Sequence, residues 1–163
     1  FTLQGSGREG DGIKIIAGSR DLARAEAGDH GTLYPTSFFA RFVLRPVIPN
    51  HFEPFTPDEQ VSDHYDLTEC GVAAEVIAMP GHTAGSLVVL ARGGTIALVG
   101  DLFRGGALAG YVHLEEPKEH FYQDDLAMAH QRIHELLARG LDLVVLGHGG
   151  PSNRAAAERV FGP

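Results

Sequence analysis

Continuous apolar runs, each stopped by glycine or a charge, dominate the second half of the chain. "AAEVIAM" ending at Met79, "SLVVLA" (86–91), "TIALVG" (95–100) and "LDLVVL" (141–146) have strand length and lack strict alternation. Runs apolar on both faces predict strands inside a sheet covered on both sides. The "RGG" between the second and third predicts a tight hairpin, its glycines supplying the turn. From Gln123 to Arg139 the period changes to that of a helix. Leu126, Ala129, His130, Ile133, Leu136 and Leu137 fall on one stripe, Arg139 sits in the last turn and Gly140 is placed to cap it. That pattern predicts Leu126, Ile133 and Leu137 against the sheet, with Gln131 and Glu135 in water. Ser152 is the expected N-cap of a terminal helix in "NRAAAERVF". The first half is weaker: a strand at Ile13–Ala17, a short helix over Asp21–Ala27 opened by Ser19 or Asp21, and a brief helix near Ser37–Leu44. Strand and helix alternate, so the fold class is α/β or α+β with helices covering a sheet.

Residues 28–60 break the pattern with five prolines and five phenylalanines, Phe38, Phe39, Phe42, Phe52 and Phe55. Such a segment is a lid beside a site or an aromatic plug over the core, and the plug is the simpler expectation. With 163 residues, 44% apolar, the chain supports one domain. A formal charge of −8 disfavours nucleic acid or an anionic membrane as partner and leaves a small-molecule substrate. The single cysteine, Cys70, cannot form an internal disulfide; it predicts a reducing, cytoplasmic setting and a buried thiol. No apolar run approaches the ~20 residues that span a bilayer. The opening "FTLQGSGREGDG" lacks the marks of a signal peptide. Residues 1–12 are expected to be a linker or processing remnant, and 13–163 the domain.

Candidate chemistry sits at three strand ends: "PGHT" with His82, "GD" with Asp101 and "GHGGP" with His148. Each joins a glycine, which lets the backbone bend sharply, to a side chain able to ligate a metal. Imidazole and carboxylate together suit zinc, with iron or manganese as alternatives. Singly, each has a plain reading as turn chemistry. Convergence of the three is the expectation to test.

"MPGHTAGSLVVL", "IALVGDLFRGG" and "LDLVVLGHGGP" resemble the C-terminal half of the metallo-β-lactamase fold superfamily, in its glyoxalase II-like hydrolase branch. The resemblance implies part of a four-layer αββα fold and a metal-dependent hydrolase. His82 would bind one ion, His148 a second, and Asp101 would bridge them as the catalytic candidate. A water ionised between one or two zinc ions would attack an ester, thioester, lactam or phosphate.

The family's leading signature, H-x-H-x-D-H, is missing. "AEAGDHG" comes nearest, but Ala25 and Ala27 stand where its histidines would be, and Asp29 and His30 read as coincidence. The binuclear site is therefore expected to be half built and the chain to be a partial one. The inner faces of its strands would need cover, from a homodimer or from the missing N-terminal half, with residues 82–103 near the contact. Two alternatives stay open: a non-catalytic degenerate member serving as a ligand-binding or structural partner, and a mononuclear metal-binding protein. Among other histidines, His130 and His134 are one turn apart on the long helix, His130 reading as a packed core residue. His113 and His120 flank "LEEPKE" and read as surface loop.

Overall fold

The computed structural model describes residues 14–32, 34–107 and 112–162. The expected linker at 1–12 lies outside these. A five-stranded sheet carries the domain, built from β3 (His64–Asp66), β4 (Ala74–Ala78), β5 (Leu87–Ala91), β6 (Ile96–Leu98) and β9 (Leu143–Val145), paired in that order. All pairs are antiparallel except β6 with β9, which run parallel. Arg92, Gly93 and Gly94 all take positive φ in the β5–β6 turn, the sharp reversal that "RGG" predicts. Two small ribbons flank the sheet. β1 (Ile16–Gly18) pairs in parallel with β2 (Glu59–Val61), and β7 (Arg104–Ala107) runs antiparallel to β8 (Val112–Lys118). The helices are α1 (Leu22–Ala27), α2 (Leu126–Leu137) and α3 (Arg154–Phe161).

Register explains which side is core. Ile77, Val88, Leu90, Ala97 and Val144 point to one face and are buried, in one cluster with Ile133, Leu136 and Leu137 of α2 and Ala157 and Phe161 of α3. The opposite face carries the row Val76, Val89, Leu98 and Val145. Val76 is buried, whereas Val89 and Val145 are half-buried and Leu98 is 40% exposed. The expectation of a sheet covered on both sides therefore holds for one face only. Helices supply that cover; across β5, β6 and β9 the other face is only partly covered by the described residues.

Several local expectations shift by a residue or a role. Leu126 is 38% exposed, because it stands in the first turn of α2, beyond the reach of the sheet; Ala129, Ile133, Leu136 and Leu137 do the packing. Gln131 and Glu135 are exposed and bonded to each other at 2.8 Å. The cap of α3 is Asn153, whose Oδ1 accepts from Ala156 N at 3.0 Å. Ser152 is buried instead, its hydroxyl donating to Glu115 O at 2.7 Å. Cys70 ends a helical turn over Leu67–Cys70 and is exposed, not buried. The polar strands β2, β3, β7 and β8 went unpredicted because they carry little apolar signal.

Removing buried volume from α2 should cost stability in proportion to burial. Ile133→Ala is expected to lower unfolding free energy by about 2–5 kcal/mol, and Leu126→Ala by roughly 1 kcal/mol or less. Urea midpoints decide it, and equal losses at the two sites would contradict this packing.

Candidate metal centre

Three of the sheet's strands deliver side chains to one place. Past β4, the Pro80–Thr83 turn is held by Met79 N to Ser86 O (2.8 Å) and Thr83 N to Ser86 Oγ (2.9 Å). Asp124 N and Asp125 N, just ahead of α2, donate to His82 O and Gly81 O, both at 3.0 Å. Gly81 has φ 148°, and a Cβ there would stand 2.5 Å from the Ala129 Cα, so only glycine lets α2 lie against this turn. Past β6 and β9 the chains stay zipped, with Val99 N to Val145 O at 2.9 Å and Gly147 N to Gly100 O at 2.8 Å. Asp101 and His148 leave these paired ends side by side. At Gly147 a Cβ would fall 2.3 Å from Asp101 Oδ1, so the bare backbone makes room for the carboxylate.

The three expected residues do meet. His82 Nε2 lies 3.9 Å from Asp101 Oδ2, and His148 Nε2 lies 3.7 Å from Asp101 Oδ1. A fourth residue joins them that the sequence reading placed in a surface loop. His120 is 7% exposed, with Nε2 4.0 Å from Asp101 Oδ1. Donor atoms of Asp101, His120 and His148 all lie within 4.8 Å of one another. His113, by contrast, is exposed on strand β8. No local signal marks His120, since it directly follows the polar run "LEEPKE" and belongs to no periodic apolar segment. It is buried by a tertiary strap: Thr36 Oγ1 donates to His120 O (2.6 Å), Thr36 N to Phe121 O (2.9 Å) and Gln123 N to Tyr34 O (3.0 Å).

Both rings, buried His120 and half-buried His82, are aimed by one carbonyl. His82 Nδ1 is 2.9 Å, and His120 Nδ1 3.1 Å, from Tyr122 O. His120 Nδ1 also lies 3.4 Å from Tyr122 N, a longer contact; the shorter one makes Nδ1 the donor. With both Nδ1–H groups spent on a carbonyl, both Nε2 lone pairs face Asp101. The separations are informative in themselves. Two donors ~2.1 Å from one tetrahedral ion stand about 3.4 Å apart, whereas N–H···O bonds close to about 2.9 Å. At 3.7–4.0 Å these groups are spaced as ligands around a gap, not as hydrogen-bonded partners.

Protonation agrees with that reading. Burial pushes the His82 ring below the usual histidine range; it takes His120 further, to about 4, with His82 beside it contributing. For Asp101 burial acts upward, but the His120, His82 and His148 rings outweigh it and hold the carboxyl below its usual range. At neutral pH the His82 and His120 imidazoles are uncharged and Asp101 is an anion. Neutral nitrogens around a carboxylate form a donor set that fits a divalent cation.

A cavity of about 480 Å³ opens beside His82 and Asp101, walled by Arg24, Phe52, Phe55 and Tyr122 among others. Arg24 is held in that wall by Asp124 at 2.7 Å. Asp29 and His30 line the cavity but have no place among the converging donors. Phe38 and Phe42 are 76% and 57% exposed, so they plug nothing; their segment lies beside the site, tied to it by Tyr122 OH to Ala40 O at 2.8 Å. His130 is no core residue either. Its Nε2 sits 2.8 Å from Glu119, on a side chain 42% exposed, because the apolar stripe of α2 turns away from it. His134 Nε2 meets the Phe161 carbonyl and joins α2 to α3.

No protein-family model and no curated protein matches the sequence. Solved structures match the fold. The chain is similar to the BLEG-1 B3 metallo-beta-lactamase (TM-score 0.57, 15% identity, covering 90% of this chain and 63% of that one). It is also similar to TTHA1623 in a di-iron-bound form (TM-score 0.57, 19% identity, 93% and 64%). An archaeal metallo-beta-lactamase superfamily protein, ST1585 from Sulfolobus tokodaii, gives a TM-score of 0.53 at 14% identity, with 90% and 56% covered. The fold is thus that of the metallo-β-lactamase superfamily, and the chain spans a little over half to just under two thirds of these structures' lengths.

Acid should loosen the metal-free fold. In the unfolded chain both rings take protons near pH 6.5; in the folded one burial keeps His120 neutral down to about 4. The unfolded state therefore binds more protons between these values. Stability is fully present above pH 6.5 and is lost as pH falls through that window, by up to ~3 kcal/mol for His120. Urea midpoints of EDTA-treated protein at pH 7.5 and 4.5 measure this, and His120→Gln should shrink the difference. A midpoint that rises in acid would contradict a neutral buried ring.

Proposed function

We propose that this chain carries the metal centre of a hydrolase of the metallo-β-lactamase superfamily. Asp101, His120 and His148 hold one divalent ion, zinc in the first instance, with iron or manganese as alternatives. The carrying observation is the convergence of these three donors within 4.8 Å beside an open cavity. Three protein ligands and a free position are what catalytic zinc requires. An ion held there supplies Lewis acidity and lowers the pKa of water to near neutrality. The protein's part is to fix the ligands and shape the approach. Asp101 offers Oδ1 to the His120 and His148 side and Oδ2 to His82, so one carboxylate faces two subsites. The His82 side, with two donors, is a half-site open to the cavity. Donors from a complementing chain would complete a binuclear centre there.

A partner belongs to the same proposal. The half-exposed row of Val89, Leu98 and Val145 supports cover by a second copy or by a chain carrying the facing sheet. Uncovered apolar surface forfeits ~25 cal/mol per Å². Sedimentation at low micromolar concentration is expected to give more than the 17.4 kDa of one chain. A stable, soluble monomer would count against this part.

Calorimetric titration with zinc tests the centre itself. Wild-type chain should bind one ion tightly, while His120→Ala and His148→Ala each weaken it by at least about tenfold and His130→Ala leaves it unchanged. Zinc uptake that ignores His120 would remove the proposed ligand set. Loaded protein should then hydrolyse some member of an ester, thioester, lactam and phosphoester panel. Tight zinc binding without turnover would favour the mononuclear, non-catalytic reading.

A further inference from the structure

The overall charge of −8 conceals a local reversal. No aspartate or glutamate occurs from His30 to Phe52, a stretch that carries Arg41 and Arg45. Among the described residues neither arginine has a carboxylate within 4.0 Å, whereas Arg24, Arg132 and Arg154 each hold one at 2.6–2.7 Å. The same stretch concentrates bare apolar surface. Twelve large apolar side chains are exposed among the described residues, and six of them fall between Tyr34 and Val47. Phe38 and Val47 are 76% and 72% exposed. Apolar residues scattered singly over a surface need no explanation, but a cluster this dense marks a contact.

Local structure holds the patch in place. The chain turns helically over Ala40–Leu44, with Arg41 N donating to Ser37 O at 3.0 Å and Arg45 N to Ala40 O at 2.9 Å. Ala40 is fully buried, and its carbonyl accepts from the Tyr122 hydroxyl at 2.8 Å. One helical turn brings Phe38 and Phe42 together outside, their ring centroids 4.5 Å apart, and the Arg41 guanidinium lies 5.5 Å from the Phe42 ring. Exposed rings beside cations, on a segment anchored from within, have the layout of an interfacial helix. There the rings enter the acyl boundary and the basic groups meet headgroup phosphates.

Charge decides between occupants. Pairing about a two-fold axis would set this patch against itself and bring four arginines together with no acid in either stretch. An anionic bilayer supplies the missing negative charge, and its acyl chains accept rings in any arrangement. The acidic remainder of the chain does not forbid this, since at physiological salt charges beyond about 8 Å are screened.

We propose that residues 34–47 dock the protein on the surface of an anionic phospholipid membrane, with Phe38, Phe42 and Val47 inserted and Arg41 and Arg45 on the headgroups. Docking requires no ion at Asp101, but it sets where that site works. Thr36 and Ala40 are bonded to the strap of His120 and Tyr122, so the docked segment holds the site close to the lipid.

Flotation of the full chain tests this, with vesicles of equal parts phosphatidylcholine and phosphatidylglycerol compared with vesicles of phosphatidylcholine alone. Wild type should float with the anionic vesicles and stay largely unbound with the neutral ones. An Arg41→Gln/Arg45→Gln chain should bind anionic vesicles roughly thirtyfold more weakly. Phe38→Ser/Phe42→Ser should weaken binding at least about tenfold. Should either variant fail to fold, hydrogen exchange of wild type decides alone: amides of residues 38–47 should slow with anionic vesicles and not with neutral ones. No flotation, equal flotation with both vesicles, or full binding by either folded variant would overturn the docking. So would a wild-type dimer that ignores vesicles and that Phe38→Ser/Phe42→Ser dissociates, a result that gives the patch to a second copy.

Discussion

One carbonyl oxygen, that of Tyr122, organises the site. It has two lone pairs, and imidazole N–H groups from His82 and His120 take both. Each ring is thereby fixed in tautomer and direction, with Nε2 toward Asp101. Much of the surrounding chain serves to hold that oxygen still. Thr36, through its N–H and hydroxyl, binds the backbone on either side of Phe121, the Tyr122 hydroxyl reaches Ala40 O, and the buried Gln123 side chain donates to Leu102 O at 3.0 Å. The last of these ties the histidine strap to the loop just past Asp101. Immediately downstream, Asp125 caps α2 through Met128 N, so the strap runs without a break into the longest helix of the core.

The electrostatics follow from burial. Two rings drawn largely out of water hold protons less readily, while the carboxylate between them stays ionised. Neutral lone pairs around a partly buried anion form a donor set that fits a divalent cation.

The sheet's two faces divide the architecture. Helices α2 and α3 close one side over Ile77, Val88, Leu90, Ala97 and Val144. The other side keeps an apolar row half in water, beneath the same strand ends that deliver His82, Asp101 and His148. The placement of these three side chains thus depends on a sheet that the described residues cover mainly from one side. No helix among the described residues is long and apolar enough to cross a membrane.

Strand runs ending in glycine and a ligating side chain were legible from the residues, because continuous apolar character forces those segments into a sheet and glycine forces the bend after it. His82, Asp101 and His148 were found that way. The helix of Gln123–Arg139 was legible in its period, though Leu126 was misjudged, since periodicity does not say where a helix leaves its sheet. His120 could not be read at all. The run before it is polar and no periodic apolar segment holds it; its burial comes from the strap that Thr36, more than eighty positions upstream, pins down. Likewise the choice of Asn153 over Ser152 as cap turned on a partner for Ser152, the Glu115 carbonyl, that only β8 brings near. What the sequence alone determined was the set of local conformations and the residues able to bind a metal, because both rest on short-range sterics and side-chain chemistry. Which histidines share a carboxylate and which rings are neutral were decided by packing, because burial and a shared acceptor exist only once distant segments meet.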